Sequence, residues 1–279
     1  MENWTLRPFG PLEMKIGLFE MVHVRKPNSL ISVSLRSSRV ATRLIVAASF
    51  LIGCSHENNR KVLFDHQIEV AEGLLSQGKD EQAYSILEDV SRDNQASGKV
   101  ALALGDAFLR KSAFFKASHE FERARDLGEP FLSDLGIARV ELARNRSQDA
   151  LAILERLSQE QPNNVDVLNG MGVAYDLVRQ HSRALEFYLA ALTRDPNHIA
   201  TNNNLALSLM LSGNSERSIE ILGDIARSNR NSVKVRQNLA LAYLSSGNET
   251  KALEISRLDL PEQTAQTNIS IAKAYFQGR

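Results

Sequence analysis

Six histidines and one cysteine are the residues of this 279-residue chain best suited to metal or nucleophilic chemistry. The histidines are His23, His56, His66, His119, His181 and His198. No two stand at H-E-x-x-H spacing, and His119-Glu120 lacks a second histidine four residues away. A structural zinc site needs several convergent Cys and His ligands, and Cys54 is the sole cysteine. There is no G-x-G-x-x-G or G-x-x-x-x-G-K-[ST] to cradle a nucleotide, and no G-x-S-x-G to raise a nucleophile. Asp and Glu are scattered over outward helical positions, where a solvated face accounts for them better than an acid–base pair. The expectation is a non-enzyme with no catalytic residue, no cofactor and no metal.

The thiol of Cys54 is the exception. A thiolate can take an acyl group, and this one follows ten apolar or small residues, Leu44 to Gly53. A bilayer core needs roughly 20 apolar residues as a helix, so ten are too few to span it. They suit the apolar region of an export signal, about 7–15 residues behind a basic segment, here Arg36, Arg39 and Arg43. Leu51-Ile52-Gly53-Cys54 resembles the lipobox of bacterial lipoproteins. That resemblance implies cleavage before Cys54, lipidation of Cys54 and a stable anchor if two or more acyl chains are added. Ser55, rather than Asp, follows the cysteine; by the same resemblance this favours an outer membrane lipoprotein facing the periplasm of a Gram-negative cell. The other reading is a lone buried cysteine in an amphipathic helix. The 35 residues before Arg36 are long for such a signal. Either the start is misplaced, with Met14, Met21 or a non-Met start near Leu35 or Val40 as candidates, or an extension is discarded. The expected organisation is therefore an extension and signal over 1–53, a lipidated tether over 54–63 and a folded body over 64–279.

Charge and composition constrain that body. Net charge is zero, but residues 1–53 carry seven Lys or Arg against three Glu, leaving −4 on the remainder. A mildly acidic body argues against nucleic acid, which needs a concentrated basic surface. Glycine (15) and proline (7) are sparse, which favours helix over a turn-rich β fold.

The elements that must position any site follow from a repeat. Small residues recur at Ala71, Gly105, Ala138, Gly172, Ala206 and Ala240, with spacings of 34, 33, 34, 34 and 34. A second series, Ala83, Ala117, Ala150, Ala184, Ser218 and Ala252, keeps step at a constant offset of 12. Bulky residues follow the first series by three (Leu74, Phe108, Tyr175, Leu209, Tyr243, with Glu141 departing). Others follow the second by four (Leu87, Phe121, Leu154, Tyr188, Leu222, with Ser256 departing). Such a period predicts one helical hairpin per unit, stacked into a solenoid because no hairpin can bury its apolar face alone. Gly78, Gly213 and Gly247 fall in the hairpin turns, and Pro162 and Pro196 end second helices.

The segment LNGMGVAYDLVRQHSRALEFYLAALTRDP, residues 168–196, resembles the tetratricopeptide repeat. The matching positions are Leu168, Met171, Gly172, Tyr175, Ala184, Tyr188, Ala191 and Pro196. The resemblance implies an all-α solenoid of about six hairpins over roughly 64–257, with residues 261–276 as a C-terminal capping helix. Repeat packing is assigned to Ala138, Ala150, Gly172, Tyr175, Ala184, Tyr188, Ala206, Ala240, Tyr243 and Ala252. In the third unit Leu135-Gly136 offers a competing register.

By the same resemblance, first helices line the concave face and bind protein segments there. The expected groove comprises Asn169, Val173, Asn203, Asn204, Leu207, Met210, Gln237, Asn238 and Leu241. Amides can donate to and accept from the backbone of an extended peptide, and aliphatic neighbours add contact area. The competing reading is that the asparagines simply suit this position and the leucines pack between repeats.

The C-terminal half carries a narrower resemblance. NNNLALSLMLSGNSERSIEILGDIA (202–226), the run Arg236-Gln237-Asn238-Leu239-Ala240, and an ending with Asn268 before Tyr275 are similar to the TadD family of tight-adherence (Flp) pilus lipoproteins. Over about 110 residues, that resemblance implies a scaffold for pilus assembly, with the secretin or other pilus assembly components as partners. The alternatives are a lipoprotein adaptor for another envelope assembly process, and a soluble cytoplasmic repeat scaffold with a false lipobox.

Overall fold

The computed structural model describes residues 66–71, 73–74, 79–93, 97–228 and 232–277. The extension and signal assigned to 1–53, the tether 54–63 with Cys54, and Gly78 lie outside the described residues.

The period becomes a ladder of hairpins. Unit one has α1, helical over 66–71, and α2 (Asp80–Asp93). Unit two has α3 (Gly98–Arg110) and α4 (Phe114–Asp126), and unit three α5 (Pro130–Ala143) and α6 (Ser147–Glu160). Unit four has α7 (Val165–Leu177) and α8 (His181–Arg194), and unit five α9 (Ile199–Leu211) and α10 (Ser215–Ser228). Unit six has α11 (Val233–Ser245) and a short α12 (Glu249–Ser256), and α13 (Glu262–Gln277) closes the stack. No strand occurs among the described residues. Helix starts are capped where the sequence allows: Asn164 Oδ1 accepts from the amides of Asp166 and Val167, and Asn248 Oδ1 from that of Lys251. The helices α6 and α8 stop two residues short of Pro162 and Pro196.

Each helix packs on its neighbours in sequence, and successive first helices (α3, α5, α7, α9, α11) also pack on one another, with α13 taking the next place after α11. In a curved two-layer stack, the layer whose members approach one another lies on the inside. First helices therefore form the inner wall.

All twelve small-residue positions are buried, including the third-unit pair Ala138 and Ala150. Their sizes answer the residue they face. A Cβ on Gly105 would come within 2.6 Å of the Phe121 ring, and one on Gly172 within 2.4 Å of the Tyr188 ring. In three of the four units where that position is Ala (Ala71, Ala138, Ala206), the corresponding large residue is a leucine (Leu87, Leu154, Leu222), and in unit six Ala240 goes with Ser256. In units one to five glycine goes with an aromatic ring and alanine with leucine, which keeps the filled volume close to constant. Gly136 belongs to this scheme rather than to a second register. A Cβ there would come within 2.5 Å of Phe121, so the ring lies between Gly105 and Gly136.

The hairpin turns are equally regular. Ser112 (φ 56°), Asn145 (φ 63°), Arg179 (φ 60°), Gly213 (φ 93°) and Gly247 (φ 85°) all hold the left-handed conformation at the same place in the period. In each turn the following amide reaches back to the carbonyl of Phe108, Glu141, Tyr175, Leu209 or Tyr243 at 2.8–2.9 Å. This is the 6→1 bond that ends a helix in a Schellman turn.

Two of those ring positions carry a cation from eight residues on: Lys116 Nζ lies 5.3 Å from the Phe108 centroid and Arg183 Cζ 4.2 Å from the Tyr175 centroid. Unit three inverts the charges. Glu141 stands in the ring's place and accepts from Arg144 at 3.2 Å and Arg146 at 3.4 Å, while Asp149 occupies the cation's position.

Unit six ends differently. Its α12 stops at Ser256, where other units have a ring or leucine, and Ser256 Oγ donates to the Ala252 carbonyl at 2.9 Å. The chain then turns so that Arg236 of α11 grips Asp259 with both Nε (2.8 Å) and Nη2. Ile269 and Ala272 of α13 close the core over Leu244 and Ala252, while Gln263, Gln266, Thr267 and Ser270 face solvent. A polar outer face of this kind suits the last element of a stack.

The size pairing predicts a coupling. Gly105→Ala alone should cost about 1–3 kcal/mol from overpacking against Phe121. Phe121→Leu should offset part of that loss, so the double variant in a urea-unfolding cycle should be more stable than the sum of the singles; strict additivity would break the pairing.

Candidate functional site

The inner wall is built by α3, α5, α7, α9 and α11, and the expected groove residues lie on its C-terminal half. Asn169 and Val173 sit on α7; Asn203, Asn204, Leu207 and Met210 on α9; Gln237, Asn238 and Leu241 on α11. Gln237 is exposed and Leu241 half-buried. Val173, Leu207 and Met210 are buried, and so are all four asparagines, with Asn169 and Asn203 wholly inaccessible.

The asparagines pair with each other. Asn204 Nδ2 donates to Asn169 Oδ1 at 3.0 Å, and Asn238 Nδ2 to Asn203 Oδ1 at 2.8 Å. Each bond crosses from one first helix to the next. The equivalent positions Asn169, Asn203 and Gln237 are 34 residues apart, but the bonded partners are 35 apart, because a straight link between packed helices joins positions offset by one. The pairing is incomplete: Asn169 Nδ2, Asn203 Nδ2 and Asn204 Oδ1 have no hydrogen-bond partner. A buried polar atom left so costs roughly 1–3 kcal/mol.

Asp176, which the sequence reading did not single out, is the other polar centre. Its Oδ1 takes Ser208 Oγ and meets His181 Nδ1, each at 2.7 Å, and its Oδ2 takes Tyr188 Oη at 2.8 Å. One carboxylate thus ties both helices of unit four to α9 of unit five. Burial, then the Asp176 charge, pushes the Tyr188 phenol well above its ordinary pKa, so it remains a donor. A signal was present in the sequence: the same column elsewhere reads Leu109, Leu142, Met210 and Leu244. At the opposite end of α7, His198 Nδ1 meets Thr201 Oγ1 at 2.7 Å and its Nε2 lies 3.5 Å from Asp166.

Earlier joints use charge instead. Arg139 of α5 pairs with Asp106 of α3 at 2.8 Å. Asp134 of α5 receives Arg125 of α4 and, at 2.5 Å, Arg156 of α6. Of the other histidines, His66 and His119 are exposed beside Glu69 and Glu120, and His23 and His56 lie outside the described residues. Among the described residues, no group of three or more His, Cys, Asp or Glu is placed to hold a metal. No helix there is long and apolar enough to cross a membrane.

The residues assigned to repeat packing lie at the hairpin crossings. Ala138, Ala150, Ala184, Ala206, Ala240, Ala252, Gly172, Tyr175 and Tyr188 are buried, and Tyr243 is half-buried.

The amide pairs predict a contrast in stability. Asn204→Ala removes a cross-unit bond and strands Asn169 Oδ1, which should cost about 1–3 kcal/mol in chemical unfolding. Gln237→Ala, at the exposed position, should stay within about 0.5 kcal/mol of the parent. Equal effects would contradict the placement.

Comparison with known proteins agrees with this architecture. A family model described as tetratricopeptide repeat matches residues 135–199. The BBSome complex member BBS4 of Bos taurus is 23% identical over 131 residues, which is 47% of this chain and 25% of that protein. The match thus spans about a quarter of the curated relative's length. Among solved structures, the thermophilic TPR protein TTC0263 of Thermus thermophilus has a TM-score of 0.57 at 14% identity, covering 65% of this chain and 99% of that one. The APC/C hetero-tetramer Cut9-Hcn1 has a TM-score of 0.60 at 18% identity, covering 75% and 42%. Yeast Tom70 has a TM-score of 0.51 at 16% identity, covering 70% and 44%. At these identities the likeness is one of fold, and in fold this chain is a tetratricopeptide-repeat solenoid.

Proposed function

We propose that the protein is a non-enzymatic, lipid-anchored scaffold for assembly of the Flp (tight adherence) pilus secretion apparatus, and that its inner wall captures a segment of a pilus component, the secretin first among them. Stacked hairpins supply a long, rigid surface rather than a chemical pocket. The observation that carries the reading is the inner wall of stacked first helices, where α11 presents the exposed Gln237 beside the half-buried Leu241. A side-chain amide both donates and accepts, so it suits the backbone of an extended peptide, and an aliphatic neighbour adds contact area. Acylation at Cys54 would hold the scaffold at the outer membrane and raise its effective concentration near its partner. The pilus assignment rests on the resemblance of the C-terminal half. Its Arg236–Ala240 run lies on α11, where Arg236 and Asn238 also have the structural partners Asp259 and Asn203.

The test is genetic. The gene is deleted and complemented with wild type or Cys54→Ala; surface Flp pili are counted and secretin multimers blotted. The expected result is loss of both in the deletion, restored by wild type alone. Normal pili and multimers in the deletion would move the protein to another envelope assembly process.

A further inference from the structure

The five described hairpin turns lie along one edge of the solenoid, each with the same left-handed residue and Schellman bond. Charge is not spread evenly along that edge. In units two to four, the stretches 110–117, 141–149 and 176–183 hold seven Lys or Arg against three Asp or Glu. In units five and six, 209–217 and 243–251 balance Glu216 with Arg217 and Glu249 with Lys251. Residues 54–279 as a whole carry −4, so a basic edge stands on an acidic body.

The same edge exposes apolar surface. Phe115 is 87% exposed, the most exposed large apolar residue among those described, and Val178 on the unit-four turn is also exposed. Phe115 sits beside Lys116, whose ammonium is held over the Phe108 ring, and near Lys111, which pairs with Glu81 and covers Tyr84. On the next turn Arg144 and Arg146 share one carboxylate, Glu141, and Asp149 balances the stretch, so the excess positive charge lies on the turns of units two and four. An exposed ring flanked by cations has the two properties that favour a membrane interface: an apolar group to enter it and charges to meet anionic headgroups.

We propose that the turn edge of units two to four docks on an anionic phospholipid surface, with Phe115 as its apolar anchor. A broad anionic surface engages cations on successive turns together. A protein pocket would be expected to enclose the ring, whereas here the ring projects from the rim of the solenoid. The contact needs no lipid on Cys54, so it stands or falls apart from the pilus reading. It would orient the solenoid with the turns of units two to four against the membrane and those of units five and six farther from it.

The experiment is vesicle flotation of the full chain carrying Cys54→Ser, which has no acceptor thiol. The probes are phosphatidylcholine vesicles with and without phosphatidylglycerol. Binding is expected only to the anionic vesicles, falling as salt rises. Lys111→Glu with Lys116→Glu should weaken it at least tenfold, since each basic group near an anionic surface is worth roughly fivefold. Phe115→Ser should weaken it severalfold without changing thermal unfolding. Arg217→Glu with Lys251→Glu makes the same charge change on units five and six and should leave most of the binding. Equal loss in that control set would reduce the effect to net charge and overturn the proposal. Binding indifferent to all these changes would place the contact elsewhere in the chain and overturn it too. No binding to anionic vesicles would refute it and turn attention to an acidic protein partner for the edge.

Discussion

Everything in this solenoid depends on two helix backbones coming close together once per unit. The approach is possible only where side chains nearly vanish, and that requirement writes Ala71, Gly105, Ala138, Gly172, Ala206 and Ala240 into the first helices. The partner series on the second helices meets them 12 residues later. The large residue beside each crossing of units one to five is then sized to the gap: Phe121 and Tyr188 against glycines, Leu87, Leu154 and Leu222 against alanines. Close-packed interiors tolerate neither voids nor surplus atoms, so the two positions cannot vary independently. The turns follow from the same constraint. A helix pair this close needs an abrupt reversal, and a single left-handed residue with a 6→1 hydrogen bond provides it in all five described turns.

Unit-to-unit joints sit on top of this constant frame and differ along the molecule. Units two and three are joined by guanidinium–carboxylate pairs, Arg139 to Asp106 and Arg125 to Asp134, and Arg156 of α6 reaches the same Asp134 within unit three. From unit four onward, asparagine pairs and the hydroxyl of Ser208 take over, with Asp176 gathering three side chains. The amide track begins in unit four, where the basic edge ends.

The fold was legible because a period repeats its evidence. Five intervals of 33 or 34 residues locate the hairpins even in unit three, where Glu141 breaks the aromatic column and Gly136 suggests a second register. Structure resolves both: Glu141 exchanges ring packing for two arginines, and Gly136 makes room for Phe121. The turn geometry was visible only at glycines. Ser112 and Arg179 adopt the same left-handed backbone although nothing in their side chains announces it, whereas Asn145 is a residue type that takes it readily. The expected groove residues lie on α7, α9 and α11, and their neighbours were not legible in the sequence. A period says which residues occupy equivalent places. It does not say that Asn204 reaches across to Asn169, an offset of 35 set by how packed helices face one another. Asp176 was missed for a related reason: its role appears only when Tyr188, His181 and Ser208, distant in sequence, converge on it.

The most direct test of this account is a pair of identical substitutions on one helix. Ala184, at the unit-four crossing, is wholly buried, whereas Ala190 on the same α8 is exposed. Unfolding free energies of Ala184→Leu and Ala190→Leu, measured by urea denaturation, compare the same added atoms inside and outside the crossing. Close backbone approach predicts a loss of about 1–3 kcal/mol or more at the first site and a change within about 0.5 kcal/mol at the second. Equal stability of the two variants would contradict the claim that the crossings hold the solenoid together.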